Sequence, residues 1–321
     1  MSKKKVVVTE LIDKHGLDIL KSEAEVVYLP QLNGRTLADE ISKAHAVAVR
    51  VAKIDRDLLE QAGNLMIIAK HGVGYDNIDI EAATQKRIVV VNTPEANAES
   101  VAEHNLGLML SLAKKIGAAD RMLREDRLGR REDYIGTELK DKKLGLVGLG
   151  RIGSELAHKC KLAFNMDIIG YDPYVSKEKA DRLGYTKVEK LSDVLQEADY
   201  VVICVPLTRE TANLIGSREL DLMKAHAFLI NSSRGGIVDE VALYDHLVKG
   251  KLAGAAMDVF LQEPPPTDHP LLSLDNFIAT PHIAGMTAEA MTRMAITVAE
   301  EILRVFRGEK PKYPVNPQVF A

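Results

Sequence analysis

The stretch "GLVGLGRIGSELA" occupies residues 145–157, and its three glycines are Gly148, Gly150 and Gly153. An apolar run precedes them and a segment with helical periodicity follows. In such a setting the first glycine permits a tight turn, the second lets the backbone approach a pyrophosphate, and the third lets helix and strand pack closely. Asp172 ends the next apolar run. The stretch therefore predicts a dinucleotide site; a structural turn with an unrelated aspartate is the alternative.

The residues around this loop also favour one type of dinucleotide. The first N–H groups of the following helix have no partner within the helix, and with the positive end of the helix dipole they suit phosphates. The carboxylate of Asp172 would accept hydrogen bonds from both ribose hydroxyls and would repel a 2′-phosphate. The pattern therefore predicts NAD as the cofactor rather than NADP.

Short runs of Val and Ile alternate with longer amphipathic stretches throughout the 321 residues. These runs lack polar alternation, which is typical of strands buried on both faces in parallel sheets covered by helices. The length of the chain indicates two α/β domains. The runs expected to form strands are 5–10, 25–30, 46–51, 65–70, 88–92, 144–150, 167–172, 200–206, 227–233, 252–259 and 276–281.

Three further segments bear on how the chain is divided. Residues 99–119 predict one long helix, with Ser100 as its cap and Glu103 completing a capping box. The charged stretch 120–143 is too polar for a core and predicts an exposed arm or a partner-facing loop. A final helix at 287–307 would return to the first domain. We therefore expect hinges near 97–100 and 285–290, a domain of residues 1–98 with 287–321, and a second domain of residues 99–286.

The composition argues against several classes of protein. Lys and Arg number 42 against 46 Asp and Glu, a formal net charge of −4, which gives no general electrostatic reason to bind nucleic acid or an anionic membrane. No apolar run approaches the roughly 20 residues that span a bilayer. The two cysteines, Cys160 and Cys204, are too few for a disulfide framework and favour a reducing cytoplasm. The nine histidines show no metal-ligand spacing, so no metal site is expected.

Polar side chains follow three of the predicted strands, at the sheet edge where ligands of open parallel sheets bind. They are Arg234, Asp258, Glu263 and His282. Carbonyl reduction needs a proton donor with a pKa near neutrality, which fits histidine. A carboxylate beside it favours the imidazolium, and a guanidinium can bind a substrate carboxylate with two hydrogen bonds. Together the residues predict a carbonyl-reducing site, although each taken singly could be a solvated loop charge or a structural turn residue.

Six stretches also match a known family in order and spacing. They are "HGVGYDNID" (71–79), "GTELKDKKLGLVGLGRIG" (136–153), "GYDPY" (170–174), "NSSRGGIVDE" (231–240), "GAAMDVFLQEPP" (254–265) and "PHIAG" (281–285). The chain resembles the D-isomer-specific 2-hydroxyacid dehydrogenases along essentially its whole length. Within that family it is most similar to the D-3-phosphoglycerate dehydrogenases, in a short form that stops at Ala321 without the regulatory serine-binding domain.

The resemblance implies a fold and a set of functional residues. The fold is two doubly wound parallel-sheet domains, a Rossmann NAD-binding domain inserted in a flavodoxin-like substrate domain, with the active site between them. His282 would be the acid/base, Glu263 its partner, and Arg234 the residue that binds the substrate carboxylate and carbonyl. The implied cofactor contacts beyond the three glycines are Arg151, Ile152, Asp172, Val205, Ser232 and Asp258, the last near the carboxamide. The implied substrate contacts are Arg50, Val73 and Gly74. Members are usually homodimers, sometimes tetramers, built through the cofactor domain, which would place the stretch 120–140 at the interface.

The sequence departs from the phosphoglycerate pattern beside the predicted substrate contacts. Val51 stands where a serine is usual, and Lys70 and His71 precede the glycine loop where arginine and a small residue are common. With Arg50, these two residues could form a cationic lip for a second anionic group on the substrate. Ordinary solvated charges at a strand end are the alternative.

The leading interpretation is an NAD-dependent dehydrogenase of a small anionic D-2-hydroxy or 2-oxo acid. The first choice of substrate is 3-phosphoglycerate with 3-phosphohydroxypyruvate, which would place the enzyme in serine biosynthesis. Hydroxypyruvate or glyoxylate reduction and sulfolactate oxidation are alternatives within the class. A corepressor-like binding protein that senses NADH is the alternative from another class, and a bound partner peptide without turnover of any 2-oxo acid would favour it.

Overall fold

The computed structural model describes residues 3–31, 36–125 and 129–320. The chain divides into two compact units. Unit 1 comprises the described residues up to Asn97 together with those from Met286 onward, and unit 2 is Ala98–Gly285 as far as it is described. The second unit is thus inserted into the sequence of the first. Residues 126–128 of the predicted arm lie outside the described residues.

Five parallel strands form the sheet of unit 1. They are β1 (Lys5–Val8), β2 (Glu25–Tyr28), β3 (Ala46–Val49), β4 (Ile67–Lys70) and β5 (Val89–Val91). Their order in the sheet is β2-β1-β3-β4-β5, which is the flavodoxin-like order. Each strand is two residues shorter than the run that predicted it.

Both faces of this sheet are buried, as the uninterrupted apolar runs predict. Val6 and Val8 belong to the core on one face and Val7 to the core on the other, because successive side chains of a strand point to opposite faces. The helices α1 (Lys14–Glu23), α2 (Leu37–Glu40), α3 (Arg56–Glu60) and α4 (Ile80–Gln85) connect the strands. Parallel pairing requires such crossovers.

Seven parallel strands form the sheet of unit 2. They are β6 (Lys143–Val147), β7 (Asp167–Tyr171), β8 (Thr186–Val188), β9 (Tyr200–Ile203), β10 (Phe228–Asn231), β11 (Gly254–Met257) and β12 (Phe277–Ala279). Their order is β12-β11-β10-β9-β6-β7-β8, so the chain winds outward from β6 first to one side and then to the other. This doubly wound order confirms the predicted fold class. Sequence analysis missed β8, a three-residue edge strand, "TKV", with a lysine in its middle.

The helix predicted over 99–119 is wrong as a single element. The structure has α5 (Ala98–Ala113) and α6 (Ile116–Arg124), separated at Lys115, whose φ of 52° is left-handed. Ser100 is buried inside α5 rather than capping it, because the helix begins two residues earlier. Helix α5 packs its apolar face into the core of unit 2, whereas α6 buries none of its residues. Packing therefore divides a segment whose composition is continuous.

The remaining helices are α7 (Arg151–Phe164), α8 (Lys177–Arg182), α9 (Leu191–Glu197), α10 (Ser217–Leu220) and α11 (Glu240–Val248) in unit 2, and α12 (Ala288–Phe306) in unit 1. Helix α12 matches the predicted final helix, and the side chain of Thr287 caps it. It packs on α1 so closely that a Cβ at Gly16 would lie 2.5 Å from the carbonyl oxygen of Ala295. None of the helices in the described ranges is long and apolar enough to cross a membrane.

Candidate active site

The three glycines of the loop after β6 have three different environments. Gly148 has a φ of +102°, and a Cβ there would lie 2.7 Å from the carbonyl oxygen of Cys204, so the turn requires glycine. A Cβ at Gly153 would lie 2.4 Å from the carbonyl oxygen of Gly148, which leaves no room for a side chain where α7 meets the strand. A Cβ at Gly150 would meet no described atom within 4 Å. The backbone at Gly150 is therefore open to a ligand.

The start of α7 is suited to phosphate binding. Gly150 is the N-cap residue and has no side chain, so it does not itself cap the first N–H groups of α7, which are those of Arg151, Ile152 and Gly153. Such a helix terminus binds anions through these N–H groups and the helix dipole. The residues present thus fit a dinucleotide pyrophosphate.

Asp172 lies directly after β7, next to the glycine loop. Its Oδ2 accepts the N–H of Leu149 at 2.9 Å, and its Oδ1 accepts the N–H of Tyr174 at 2.8 Å. Two backbone donors thus hold the carboxylate beside the loop, and each oxygen keeps a further lone pair for a ligand. This position fits the ribose-binding role predicted from the sequence.

Val205 and Ser232 follow the neighbouring strands β9 and β10. A Cβ at Gly148 would lie 2.9 Å from Cγ1 of Val205, so Val205 borders the glycine loop. Ser232 is half-buried in the turn after β10. Asn231, fully buried, shapes this turn: its Nδ2 donates to the carbonyl of Arg234 at 2.9 Å. Asn231 was not singled out from the sequence, although it directly precedes Ser232 in the same loop as Arg234.

The structure brings together the three predicted catalytic residues, which follow β10, β11 and β12. Nδ1 of His282 lies 2.7 Å from Oε2 of Glu263, and Oε1 of Glu263 accepts the N–H of Phe260 at 3.1 Å. Partial burial opposes ionisation of Glu263, but the hydrogen bond and charge of His282, with the Phe260 N–H and the charge of Arg234, outweigh it and lower the pKa of the Glu263 carboxyl. The three groups therefore act on one another electrostatically.

Asp258 organises the loop that carries His282. Its carboxylate, 1% exposed, accepts the N–H of Ile283 at 2.9 Å, the N–H of Ala284 at 2.8 Å and the hydroxyl of Thr280 at 2.6 Å. The carbonyl of Asp258 accepts the N–H of His282 at 2.8 Å. His282 has a φ of 55°, an unfavourable conformation for a residue with a side chain. These four hydrogen bonds stabilise that conformation.

His104 on α5 extends the network around Asp258. Its Nε2 lies 3.0 Å from the hydroxyl oxygen of Thr280. Because the Thr280 hydroxyl donates its proton to Asp258, that oxygen must accept, and His104 must carry its proton on Nε2. Burial lowers the pKa of His104 against the opposing charge of Asp258. Sequence analysis missed both His104 and Thr280; the position of Thr280 two residues before His282 was the available signal.

A second Glu–His pair supports the loop that carries Glu263. Oε1 of Glu240 accepts the N–H of Leu261 at 2.7 Å, and Oε2 of Glu240 lies 3.0 Å from Nε2 of His269. Both side chains are largely buried. The first turn of α11 thus fixes the backbone two residues before Glu263. Sequence reasoning gave no sign of this pair, because its members are 29 residues apart.

The predicted substrate contacts lie in unit 1, at the carboxyl ends of the paired strands β3 and β4. Arg50 follows β3, and Val73 and Gly74 lie in the loop after β4. The carbonyl of Val73 accepts Nδ2 of Asn92 at 2.7 Å, which anchors this loop to the end of β5. Within the described part of unit 1, the N–H groups of Val73 and Gly74 donate no hydrogen bond. They therefore remain available to an acceptor such as a carboxylate.

The predicted cationic lip is wrong for two of its three members. Lys70 is 9% exposed, and its ammonium donates to the carbonyl of Arg50 and, at 2.6 Å, to Oδ1 of Asn77. His71 is 2% exposed, and burial lowers its pKa to about 4, so it is neutral near pH 7. Neither residue is a solvated charge either. Both are buried because β4, which lies between β3 and β5, is buried to its last residue, Lys70, and His71 follows it directly.

The comparisons agree with this geometry. Residues 106–284 match the family model described as "D-isomer specific 2-hydroxyacid dehydrogenase, NAD binding domain". The range lies within unit 2 and contains the glycine loop, Asp172 and the three residues at the strand ends. The dinucleotide site described above therefore lies in an NAD-binding domain of that family.

Relatives match over nearly the whole chain. A D-3-phosphoglycerate dehydrogenase of Archaeoglobus fulgidus is 43% identical over 314 residues, covering 97% of this chain and 59% of that protein. A glyoxylate reductase of Thermofilum pendens is 38% identical over 327 residues, covering 99% of this chain and 96% of that protein. A solved D-lactate dehydrogenase of Aquifex aeolicus, complexed with NAD and lactic acid, has a TM-score of 0.83 at 30% identity, covering 95% of this chain and 96% of that one. The chain thus spans only 59% of the phosphoglycerate dehydrogenase and nearly all of the glyoxylate reductase.

Proposed function

The chain belongs to the D-isomer-specific 2-hydroxyacid dehydrogenases, and we propose that it is an NAD-dependent enzyme that interconverts a small D-2-hydroxy acid and its 2-oxo acid. The observation that carries this proposal is the 2.7 Å contact between His282 and Glu263, on the same sheet edge as the glycine loop. An acid/base pair beside a dinucleotide loop is the arrangement that carbonyl reduction needs.

Each of the three residues has a distinct role in this proposal. The nicotinamide, when bound, supplies or accepts the hydride. His282 gives a proton from Nε2 to the substrate oxygen in reduction and takes it back in oxidation. Glu263 accepts the Nδ1–H, which orients the ring and favours the imidazolium. Arg234 binds the substrate carboxylate through its planar guanidinium and polarises the adjacent carbonyl.

We propose that NAD rather than NADP is the cofactor in use. Asp172 holds its carboxylate where a ribose would bind, and a 2′-phosphate there would face a fixed negative charge. Arg151 and Ile152 would hold the pyrophosphate through their backbone, and Val205, Ser232 and Asp258 would line the rest of the pocket. The environment of Gly150 supports close approach of a phosphate.

The substrate that we propose is 3-phosphoglycerate with 3-phosphohydroxypyruvate, which would place the enzyme in serine biosynthesis. Phosphoglycerate dehydrogenases at 42–44% identity support this choice. Val73 and Gly74 would bind the substrate carboxylate through their N–H groups, and Arg50 would bind a second anionic group. Glyoxylate or hydroxypyruvate reduction is the second candidate, because the match to the glyoxylate reductase relative covers 96% of that protein.

We further propose that the protein forms a homodimer through unit 2. Helix α6 exposes Ile116 and Leu123 at 54% and 66%, and Ile135 nearby in sequence is 71% exposed. A cavity of about 530 Å³, lined by Ile135, Tyr200 and Phe228 among others, lies at the amino ends of the strands, away from the candidate active site. A second copy would bury this apolar surface.

Both cysteines are unbridged, which suits the cytoplasm.

A panel of 2-oxo acids tests the activity. NADH oxidation is measured with 3-phosphohydroxypyruvate, hydroxypyruvate, glyoxylate and sulfopyruvate, and then with NADPH. The highest kcat/KM is expected for 3-phosphohydroxypyruvate with NADH. A preference for glyoxylate would replace the first substrate by the second candidate. No turnover of any acid, together with NADH-dependent binding of a partner peptide, would replace the enzyme by a corepressor-like protein.

Light scattering during gel filtration tests the dimer. The wild type should elute as a dimer or a multiple of it, and Leu123→Glu should yield monomers, because it puts a charge into the apolar surface. A monomeric wild type would contradict the proposal.

A further inference from the structure

The loop after β3 is held from one side by a single carboxylate. Oε2 of Glu10 accepts the N–H of Arg50 at 2.7 Å, and Oε1 accepts the N–H groups of Val51 at 3.0 Å and Ala52 at 2.6 Å. The hydroxyl of Thr9 also donates to this carboxylate. Glu10 follows β1, which pairs with β3, so the two strands deliver the carboxylate and the three N–H groups to one place.

Lys70 at the end of the opposite neighbour β4, and Asn77 in the loop after β4, hold the carbonyl side of the same loop. The ammonium of Lys70 donates to the carbonyl of Arg50 and, at 2.6 Å, to Oδ1 of Asn77. Nδ2 of Asn77 donates to the carbonyl of Ala52 at 2.6 Å. The backbone of residues 50–52 is thereby hydrogen-bonded on both edges. This constraint includes the backbone of Arg50, the residue that carries a guanidinium.

The guanidinium of Arg50 differs from its backbone in this respect. Arg50 is half-buried, and among the described residues of unit 1 its side chain makes no hydrogen bond or ion pair. Partial burial of an unpaired charge opposes folding, so its retention on a fixed backbone needs another explanation. A cation held ready for an anionic ligand provides one, because preorganisation lowers the entropy lost on binding.

We propose that Glu10 is a positioning residue for the substrate: it fixes the backbone of Arg50 so that the guanidinium is preset for the second anionic group of a 2-oxo acid, such as a phosphate. Lys70 and Asn77 complete the support from the other side. This inference rests on the proposed function, in which Arg50 binds that group. It gives Lys70 a role that replaces the mistaken cationic lip: its charge holds the loop and does not meet the substrate.

The test compares two substrates that differ only in the second anionic group. For wild type, Glu10→Gln and Arg50→Met, kcat/KM is measured with 3-phosphohydroxypyruvate and with hydroxypyruvate, and the Kd of NADH is measured directly. In Glu10→Gln an amide replaces one acceptor oxygen, so the three N–H groups cannot all be satisfied. We expect the ratio of kcat/KM values, phosphorylated over unphosphorylated, to fall about tenfold, mainly through KM, because charge-assisted hydrogen bonds to the loop are lost.

The double variant separates positioning from general destabilisation. If Glu10 acts through Arg50, Glu10→Gln should change the substrate ratio little once Arg50 is already Met. If Glu10 had a merely structural role, Glu10→Gln would lower kcat/KM for both acids equally, and the effects of the Glu10 and Arg50 substitutions would be independent of each other. Glu10→Asp, which keeps the charge but retracts it by one methylene, should give an intermediate ratio and serves if Glu10→Gln does not fold.

Each further outcome distinguishes failure of the positioning role of Glu10 from failure of the proposed function. If Arg50→Met lowers the ratio and both Glu10 variants leave it unchanged, the positioning inference is overturned and the proposed function stands. If the wild type gains nothing from the phosphate, the inference is overturned while the 2-hydroxyacid activity stands. If the wild type turns over neither acid nor the rest of the panel, the proposed function itself fails.

Discussion

Nδ1 of His282 lies 2.7 Å from Oε2 of Glu263, although the two residues leave different strands of the sheet. The contact forms because Asp258 holds the backbone of residues 282–284, while Glu240 and the Phe260 N–H fix the loop of Glu263. Because the Nδ1–H of His282 donates to the Glu263 carboxylate, Nε2 of the ring remains available for a substrate. The acid/base pair is therefore positioned by groups that take no part in proton transfer.

Replacing the imidazole should abolish proton transfer and leave the cofactor site intact. We expect His282→Gln to lower kcat by about 10² to 10⁴, the usual contribution of a general acid. The Kd of NADH, measured by fluorescence titration, should stay within about twofold, since the glycine loop is unchanged. His158→Gln, at an exposed position on α7, is the matched control. Near-wild-type kcat in His282→Gln would refute the role of His282.

Neutralising its partner should move the pH profile. In the reduction direction the imidazole must be protonated, and the Glu263 carboxylate favours that form. Because the pKa of Glu263 is lowered, the carboxylate stays ionised at every pH above its ordinary titration range. We expect Glu263→Gln to shift the alkaline fall in kcat to lower pH by about 1 unit. An alkaline limb at the same pH in both proteins would show that Glu263 does not act on the proton donor.

Removing the ribose-binding carboxylate should change the choice of cofactor. Hydrogen bonds to a charged group contribute about 2 kcal/mol, so we expect Asp172→Ala to raise the KM for NADH by about 10- to 30-fold. The KM for NADPH should rise less or fall, because the repulsion of a 2′-phosphate disappears. Asp181→Ala, an exposed carboxylate on α8, is the control. An unchanged ratio of kcat/KM for the two cofactors would argue against the role of Asp172.

The Thr280 hydroxyl should matter more than the volume of its side chain. Thr280→Val removes the donor to Asp258 and the acceptor for His104, so the buried Asp258 carboxylate loses one of its hydrogen bonds and Nε2 of His104 loses this partner. We expect a loss of about 2 kcal/mol in stability and about a tenfold lower kcat, through a misplaced His282. Thr280→Ser keeps the hydroxyl and should retain most of the activity. Equal losses in the two variants would show that packing, not the hydrogen bonds, is responsible.

The neutral, buried His71 should make unit 1 less stable in acid. The unfolded chain takes up a proton at this residue near its ordinary pKa of 6.5, whereas the folded unit takes it up only near 4. The unfolded state therefore binds more protons between these two pH values. The contribution of His71 to the free energy of unfolding is fully present above pH 6.5 and decreases by about 3 kcal/mol as the pH drops towards 4.

Comparison of the wild type with His71→Phe isolates this contribution. Hydrogen exchange of the β3 and β4 amides in urea, at several pH values, measures the stability of unit 1. The variant should lose the part of the acid dependence that His71 contributes. The same pH dependence in wild type and His71→Phe would contradict the prediction.

Local sequence accounts for most of the fold but not for its interruptions. Eleven apolar runs predicted strands, and the structure has a strand in each, because apolar runs without polar alternation are typical of strands in a parallel sheet covered by helices. The edge strand β8 was missed because one lysine and one valine carry no periodic signal. The break at Lys115 between α5 and α6 was missed because the sequence on either side of it is helical; burial of α5 alone makes the difference.

The sequence by itself determined where eleven of the twelve strands lie along the chain and which residues follow them. Periodicity, glycine spacing and loop polarity are properties of neighbours along the chain. Tertiary structure alone decided which of those residues are charged, exposed and within reach of one another. In the sequence, Lys70 and His71 could not be distinguished from an exposed cation such as Arg50. The position of β4 between two other strands buries both, so that Lys70 supports the loop and His71 is neutral. The physical reason is that burial and hydrogen bonding depend on distances through space, which residues far apart in the sequence create together.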